Sequence, residues 1–292
     1  MTLSKAVILA AGRGTRLRPI TDFVPKPLLP LANRSALSRA ADKLEAAGVT
    51  SLFINTHHLA EQVEREAAAV EGVSVRVVRE ARIRGTGGGI ENFRADLLNH
   101  EFILYNCDVY SEQDLLELIA FHRQRQPLVT LMGVDFPLIN TLVVKDERLT
   151  GIALEPSDLT YSGIAVVSPR IWRYMPSEEC FAFTDVLLSA RKSGEEVAVF
   201  RSEAYWNDFG SPGQYLSLHR HLAEIGFLQI DSTAKIENTF KQGFNFIGEG
   251  CRVLNCILED SIILPGTVVE GRLFKKAIIG RGFQVEDSQR DE

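Results

Sequence analysis

The chain has 292 residues, of which 45% are apolar and 24% charged, and a formal net charge of −6. That apolar fraction excludes a disordered or low-complexity chain, and the acidic balance excludes a general nucleic-acid binder, which carries a basic surface. No apolar run reaches the roughly 18 residues that a membrane span needs, and the run from Ala6 to Ala11 is too short for a signal h-region. The expectation is a cytoplasmic protein with no membrane and no nucleic-acid partner.

The first three quarters alternate strand-like and helix-like segments. Ala6 to Ala10 is a short apolar run ending in a Gly-rich turn, as for a buried parallel strand. Ala36 to Ala47 has helical periodicity and stops at Gly48. Leu52 to Asn55 reads as a strand and Leu59 to Ala69 as a helix. Val73 to Val78 reads as a strand, Ile90 to Leu98 as a helix, and Phe102 to Asn106 as a strand. Ser111 to Arg123 reads as a helix with Ser111 as its N-cap. Four β-rich segments follow between Leu128 and Val167, then helices at Phe183 to Arg191 and Pro212 to Ile225. This order predicts an α/β fold with a mixed, mainly parallel, Rossmann-like sheet flanked by helices. Ligands of such sheets sit at the carboxyl ends of the strands.

Composition shifts after about Leu228, so the expected domains are 1–228 and 229–292. In the tail, branched aliphatics recur at six-residue spacing: Ile247 and Val253; Ile257, Ile263 and Val269; Leu273, Ile279 and Val285. With glycines between them, that period predicts a parallel β-helix of about three coils. Its open ends invite a partner surface.

Cys107 and Cys180 stand alone. Cys251 and Cys256 are separated by four residues with no histidine after them, so they read as small buried hydrophobes rather than a metal clip. His57 and His58 read as a helix entry, and His219 and His221 as surface residues of a late helix. None of the six histidines is assigned to catalysis.

The most informative stretch follows the first strand: Ala10-Ala-Gly-Arg-Gly-Thr-Arg-Leu-Arg-Pro19, then Val24-Pro-Lys-Pro-Leu28. Gly12 and Gly14 let backbone N–H groups approach a ligand closely. Arg13, Arg16, Arg18, Lys26 and Arg34 are opposed only by Asp22, a local charge of +4 inside a −6 protein. Guanidinium forks and backbone donors match phosphate oxygens, so a polyphosphate accounts for that charge. Leu17 stands where a Rossmann fingerprint needs Gly or Ala, and no Gly-Lys-Ser/Thr completes a P-loop.

These residues resemble the signature of the sugar-1-phosphate nucleotidylyltransferases, Gly-x-Gly-Thr-Arg-Leu-Arg-Pro followed by Pro-Lys-Pro. Four further segments resemble that family in order: Gly85-Thr-Gly-Gly-Gly89, which looks like its second Gly-rich loop, Asn106-Cys-Asp108, Tyr161-Ser-Gly-Ile164 and Trp206-Asn-Asp-Phe-Gly-Ser-Pro212. The resemblance covers about residues 3 to 225. It implies a GT-A-like nucleotidyltransferase fold, and the tail looks like the family's short left-handed β-helix.

The resemblance implies that a sugar 1-phosphate attacks the α-phosphate of a nucleoside triphosphate, giving a nucleotide sugar and pyrophosphate. It assigns Arg16, Lys26 and Asp108 to catalysis, and Asp108 and Asp208 to Mg²⁺. Ala10, Ala11, Gly12, Gly14, Thr15, Gly85, Thr86, Gly87 and Gly88 would bind the nucleotide. Glu155, Ser162, Gly163 and Thr184 would line the sugar. Pro156 directly follows Glu155, so the family's Glu-Lys-Pro lysine is missing. The implied substrates are mannose, heptose or N-acetylmuramate 1-phosphate with GTP or UTP, in bacterial cell-envelope pathways. Two copies of the chain would meet through the β-helix. The alternative is a catalytically silent, nucleotide-sugar-sensing regulatory subunit of the same fold. A hexapeptide acyltransferase wants a base such as histidine on the coils, and none follows His221. A metal-binding Asp-x-Asp, as in glycosyltransferases, is replaced by Asn106-Cys-Asp108.

Overall fold

The computed structural model describes residues 3–153 and 157–286. They fall into two compact units, Met1–Gly12 with Ala40–Trp206, and Arg13–Arg39 with Asn207–Glu292. The shift in composition after Leu228 does not mark this division. Hydrogen bonds and ring contacts described below tie residues 13–39 and the helix after Pro212 to the tail.

The first unit is built on nine strands: β1 (Lys5–Leu9), β2 (Ser51–Thr56), β3 (Ser74–Arg79), β4 (Phe102–Asn106), β5 (Val129–Val134), β6 (Leu142–Lys145), β7 (Arg148–Ile152), β8 (Thr160–Val167) and β9 (Val197–Ser202). They form one sheet in the order β3-β2-β1-β4-β8-β5-β9-β7-β6. Only β8 and β7 run against the other strands. Ala6, Val7 and Ile8 of β1 are fully buried, as a strand covered on both faces requires. The expected strands are present within a few residues, and β9 is an additional one.

Helices α1 (Ala36–Ala46), α2 (Ala60–Ala68), α3 (Gly85–Glu91), α4 (Arg94–Leu97), α5 (Leu115–Arg125) and α6 (Phe183–Lys192) accompany the sheet. Three expectations change here. The helix expected over Ile90 to Leu98 is divided at Asn92 and Phe93 between α3 and α4. Gly85 to Gly89, expected as a loop, forms most of α3. The helix after β4 begins at Leu115, capped by Asp114, whose Oδ1 accepts from Leu116 N at 2.8 Å. Ser111 lies in a two-residue strand instead, and its Oγ accepts from Gln113 N.

The second unit contains α7 (Pro212–Glu224) and strands β10 (Lys235–Glu237), β11 (Phe240–Ile247), β12 (Arg252–Leu254), β13 (Ile257–Ile263), β14 (Val268–Glu270), β15 (Leu273–Lys275), β16 (Ala277–Gly280) and β17 (Phe283–Glu286). Most of these stack in parallel at intervals of 16 or 17 residues. Lys235 lies beside Arg252 and that beside Val268; Phe240 beside Ile257 and that beside Leu273; Ile247 beside Ile263 and that beside Ile279. Each corner carries a left-handed residue: Asn238, Asn255 and Gly271; Gly243, Asp260 and Lys276; Gly250, Gly266 and Gly282. Val253, Leu258 and Ile263, then Val269, Phe274 and Ile279, form the interior.

The inward steps are therefore five, five and six residues, not a uniform six. Ile257 and Leu273 face outward, at 48% and 64% exposure. The stack also ends earlier than the spacing suggests. The chain reverses at Arg281–Gly282, and β17 pairs antiparallel with β16. Val285 thus lies on a hairpin rather than on another coil.

Candidate active site

In the first unit, β1 and β4 are neighbours and end together. Leu9 pairs with Asn106, and Cys107 N donates to Leu9 O at 3.0 Å. This brings Ala10 and Ala11 to the same edge as Asp108, the carboxyl edge where ligands of such sheets bind. Asp108 is partly exposed and sits in a turn. A Cβ at Gly12 would meet no atom within 4 Å, so packing does not account for that glycine. Gly163 has φ +86°, and a Cβ there would come within 2.9 Å of the Asn106 Cβ.

A buried carboxylate braces this edge, and the sequence reading missed it. Glu80, 5% exposed, follows β3. Its Oε1 accepts from Asn55 Nδ2 at 2.9 Å and Asn92 Nδ2 at 2.8 Å, and its Oε2 accepts from Arg84 N at 3.1 Å. Asn55 Oδ1 in turn accepts from Ala10 N at 2.8 Å. One chain of hydrogen bonds thus joins the backbone after β1 to the residue that opens α3. Nothing in local periodicity signals this role. The single carboxylate next to a strand end was the available hint.

Helix α3 consumes donors that a ligand would need. Gly87 N and Gly88 N both donate to Phe181 O, at 3.0 and 3.4 Å. A Cβ at Gly87 would overlap the Phe181 ring, and one at Gly85 the Phe181 carbonyl. These glycines therefore allow close packing on the chain before α6. Thr86 Oγ1 accepts from Phe183 N at 2.8 Å, and Thr184 is partly exposed in the first turn of α6. Ser162 is fully buried, and its Oγ accepts from Ile164 N at 3.2 Å. Glu155 lies outside the described residues.

In the second unit, three of the predicted residues come together. Gly14 adopts φ +61°, and its carbonyl accepts from Thr21 Oγ1 and from Leu17 N. This folds Thr15–Leu17 into a single 3-10 turn anchored by fully buried Leu17. Thr15 and Arg16 are left outward. Arg16 Nη2 lies 3.4 Å from Asp208 Oδ2. Its guanidinium lies against Gly210, where a Cβ would come within 2.5 Å of Nη2. Lys26, in the turn Lys26–Leu28 after Pro25, is 6% exposed. Its Nζ donates to Asp208 O at 2.9 Å and lies 4.9 Å from the Phe209 ring centroid. A buried ammonium needs such partners, because an unpaired one is costly. Asp208 Oδ1 accepts from Gly210 N at 3.3 Å. One aspartate thus contacts two cations, Arg16 through its carboxylate and Lys26 through its carbonyl.

His219 is fully buried on α7 rather than on the surface. Its Nε2 lies 2.9 Å from Pro30 O, so the proton sits on Nε2. Burial pushes its pKa down to about 4. Cys107, Cys251 and Cys256 are buried and Cys180 is exposed. Among the described residues no group of three or more His, Cys, Asp or Glu gathers as a metal cage, and no helix is long and apolar enough to cross a membrane.

The family described as nucleotidyl transferase matches residues 5–137. Mannose-1-phosphate guanylyltransferase of Mycobacterium tuberculosis is 30% identical over 72% of this chain and 62% of its own length. Residues 5–137 of the chain belong to the nucleotidyl transferase family. Glucose-1-phosphate thymidylyltransferase of Streptomyces antibioticus is 25% identical over 97% of this chain and 94% of its own length. The chain thus spans under two thirds of the mycobacterial relative and nearly all of the streptomycete one. Among solved structures, HddC from Yersinia pseudotuberculosis, complexed with GMP-PN, superposes with a TM-score of 0.63 at 26% identity, covering 74% of this chain and 97% of that one. UDP-glucose pyrophosphorylase from Acinetobacter shares the fold at a TM-score of 0.68 and 20% identity, covering 77% and 94%.

Proposed function

We propose that this chain makes a nucleotide sugar and pyrophosphate from a nucleoside triphosphate and a sugar 1-phosphate. The observation that carries this reading is the pairing of Arg16 and Lys26 on Asp208. Both cations are oriented before any substrate arrives, which is what phosphoryl chemistry draws on most.

In the proposed reaction, a phosphate oxygen of the sugar 1-phosphate attacks the α-phosphorus. The bond from that phosphorus to the α,β-bridging oxygen breaks, and pyrophosphate leaves with the electron pair. Arg16 binds the triphosphate and the departing pyrophosphate through its fork. Lys26 holds positive charge against the phosphates in line. The backbone at Ala10, Ala11 and Gly12, and at Gly14 and Thr15, supplies close donors. Gly85, Thr86, Gly87 and Gly88 are proposed to face the base, with Gly87 and Gly88 contributing by shape rather than by their engaged amides. Glu155, Ser162, Gly163 and Thr184 are proposed to line the sugar.

Asp108 and Asp208 are the proposed Mg²⁺ ligands. Two carboxylates with phosphate oxygens and water suit that hard, octahedral ion, and each Asp208 oxygen retains lone pairs beyond its one protein partner. When bound, the ion would neutralise charge on the phosphates.

The name of the mycobacterial relative supports mannose 1-phosphate with GTP as the first pair to try; heptose and N-acetylmuramate 1-phosphates, and UTP, are the other candidates. Residues 1–228 are proposed as the catalytic domain and 229–292 as a left-handed β-helix. A second copy is proposed to meet it along the exposed row Phe240, Ile257 and Leu273. A panel of four triphosphates crossed with these sugar phosphates and glucose 1-phosphate, read as pyrophosphate with Mg²⁺, tests the activity. Tight nucleotide-sugar binding without turnover would favour the regulatory alternative.

A further inference from the structure

Lys26 stands at one end of a buried file of rings whose other end is the coil of the second unit. Its Nζ lies 4.9 Å from the Phe209 ring. Phe209 is followed by Tyr215 at 6.3 Å, Tyr215 by His219 at 4.8 Å, and His219 by Phe246 at 4.9 Å. Phe209, Tyr215 and His219 are fully buried and Phe246 is 3% exposed. Phe246 belongs to β11, the first long strand of the coil.

A second connection runs through the backbone. The carbonyl of Pro30, four residues after Lys26, accepts from Tyr215 Oη at 2.6 Å and from His219 Nε2 at 2.9 Å. The His219 ring also lies beside the Gln229 side chain, and Gln229 O accepts from Ile247 N, next to Phe246, at 2.8 Å. Lys26 is thus held through its ammonium and through its chain by groups that rest on the coil.

We propose, on the reading of Lys26 as a phosphate-binding cation, that the coil is a brace for the reaction. In this account Phe246 and His219 are positioning residues that fix Lys26 against the Asp208 carbonyl. A close-packed interior passes displacement on because it has no void to absorb it. Removing the Phe246 ring lets His219 and Tyr215 relax toward the coil. Pro30 and Phe209 then lose their fixed neighbours, and the ammonium loses its alignment.

The test compares Phe246→Ala with Phe274→Ala in the full chain. Phe274 is the same residue type, 1% exposed, in the interior of the same coil but outside the file. Both variants are studied well below their own melting temperatures, and Phe246→Leu serves in the same comparison should Phe246→Ala not fold. The first readout is the rate at which N-hydroxysuccinimidyl acetate acetylates Lys26, measured by mass spectrometry against exposed Lys192. Phe246→Ala is expected to raise it by about five-fold or more, and Phe274→Ala by less than about two-fold. The second readout is kcat, expected to fall about ten-fold in Phe246→Ala and to stay within about two-fold in Phe274→Ala. His219→Gln, which keeps a donor for Pro30, is expected to retain more kcat than His219→Leu. Equal labelling of Lys26 in the two phenylalanine variants overturns the brace, as does faster labelling with unchanged kcat. If the wild-type chain releases no pyrophosphate with any substrate pair, the reading of function fails, while the labelling ratio still decides whether the coil places Lys26.

Discussion

Lys26 Nζ donates to the main-chain carbonyl of Asp208 at 2.9 Å, while the carboxylate of that residue faces Arg16 at 3.4 Å. The bond to a main-chain carbonyl orients the Lys26 ammonium beside the Asp208 backbone. Replacing Lys26 by Ala is expected to lower kcat by about 10²–10³. Lys26→Arg is expected to rescue little, since the buried site fits a point charge rather than a planar fork. Steady-state pyrophosphate release measures both.

Gly210 holds the space that the Arg16 guanidinium occupies. In Gly210→Ala the new methyl displaces a flexible side-chain end rather than backbone, so stability should change by less than about 1 kcal/mol. Turnover should nevertheless fall about ten-fold, because Arg16 leaves its aligned position. Thermal melts and kcat measured together separate the two effects, and a large loss of stability would contradict the assignment.

Glu80 offers two acceptor oxygens to three N–H donors. Glutamine keeps one acceptor and sets an N–H₂ against a donor, so Glu80→Gln is expected to destabilise the chain by about 1–3 kcal/mol. Urea unfolding reads this as a lower midpoint with unchanged slope. Hydrogen exchange at Ala10 and Arg84 should rise with it.

Stability should fall as pH drops below neutrality. Burial pushes both His122 and His219 down to about 4, below the ordinary histidine value of about 6.5. The unfolded chain therefore binds more protons than the folded one between those values, so stability rises with pH across that window. It is fully present above about pH 6.5 and lost progressively toward pH 4, on the order of 3 kcal/mol per histidine. Denaturation midpoints from pH 4 to 8 test this. A His219→Gln chain should show a shallower dependence.

How much of this was legible in the sequence depends on whether a residue acts locally. The apolar runs of β1 and β4 predicted both strands and the edge at Asp108, because burial on both faces leaves a continuous hydrophobic signature. The order of the glycine and Pro-Lys-Pro segments led to the family. Gly85 to Gly89 misled, because glycine normally marks a loop, whereas here it admits the Phe181 segment against a helix. Asp114 rather than Ser111 caps α5, a choice that spacing alone does not make. His219 looked like a surface residue because the strands that bury it come from the tail. Glu80 was overlooked for the same reason: its partners are Asn55, Arg84 and Asn92, and their convergence is a property of the fold. In the tail, six-residue spacing captured one step in three: the steps across Asn255 and Asp260 are five residues, and the step across Gly266 is six.

The metal requirement follows from the proposed carboxylates. Removing divalent ions should abolish turnover, with Mg²⁺ restoring it. Asp108→Ala should be inactive while melting like the wild type, since Asp108 is partly exposed at a strand end. An active Asp108→Ala chain would remove this residue from the metal site.

The most direct test of the central claim is pyrophosphate release by the purified full chain with Mg²⁺, a nucleoside triphosphate and a sugar 1-phosphate. The account predicts pyrophosphate formed one-to-one with nucleotide sugar, dependent on both substrates, and lost in Lys26→Ala. No pyrophosphate from any pair, or the same rate from wild type and Lys26→Ala, would contradict it.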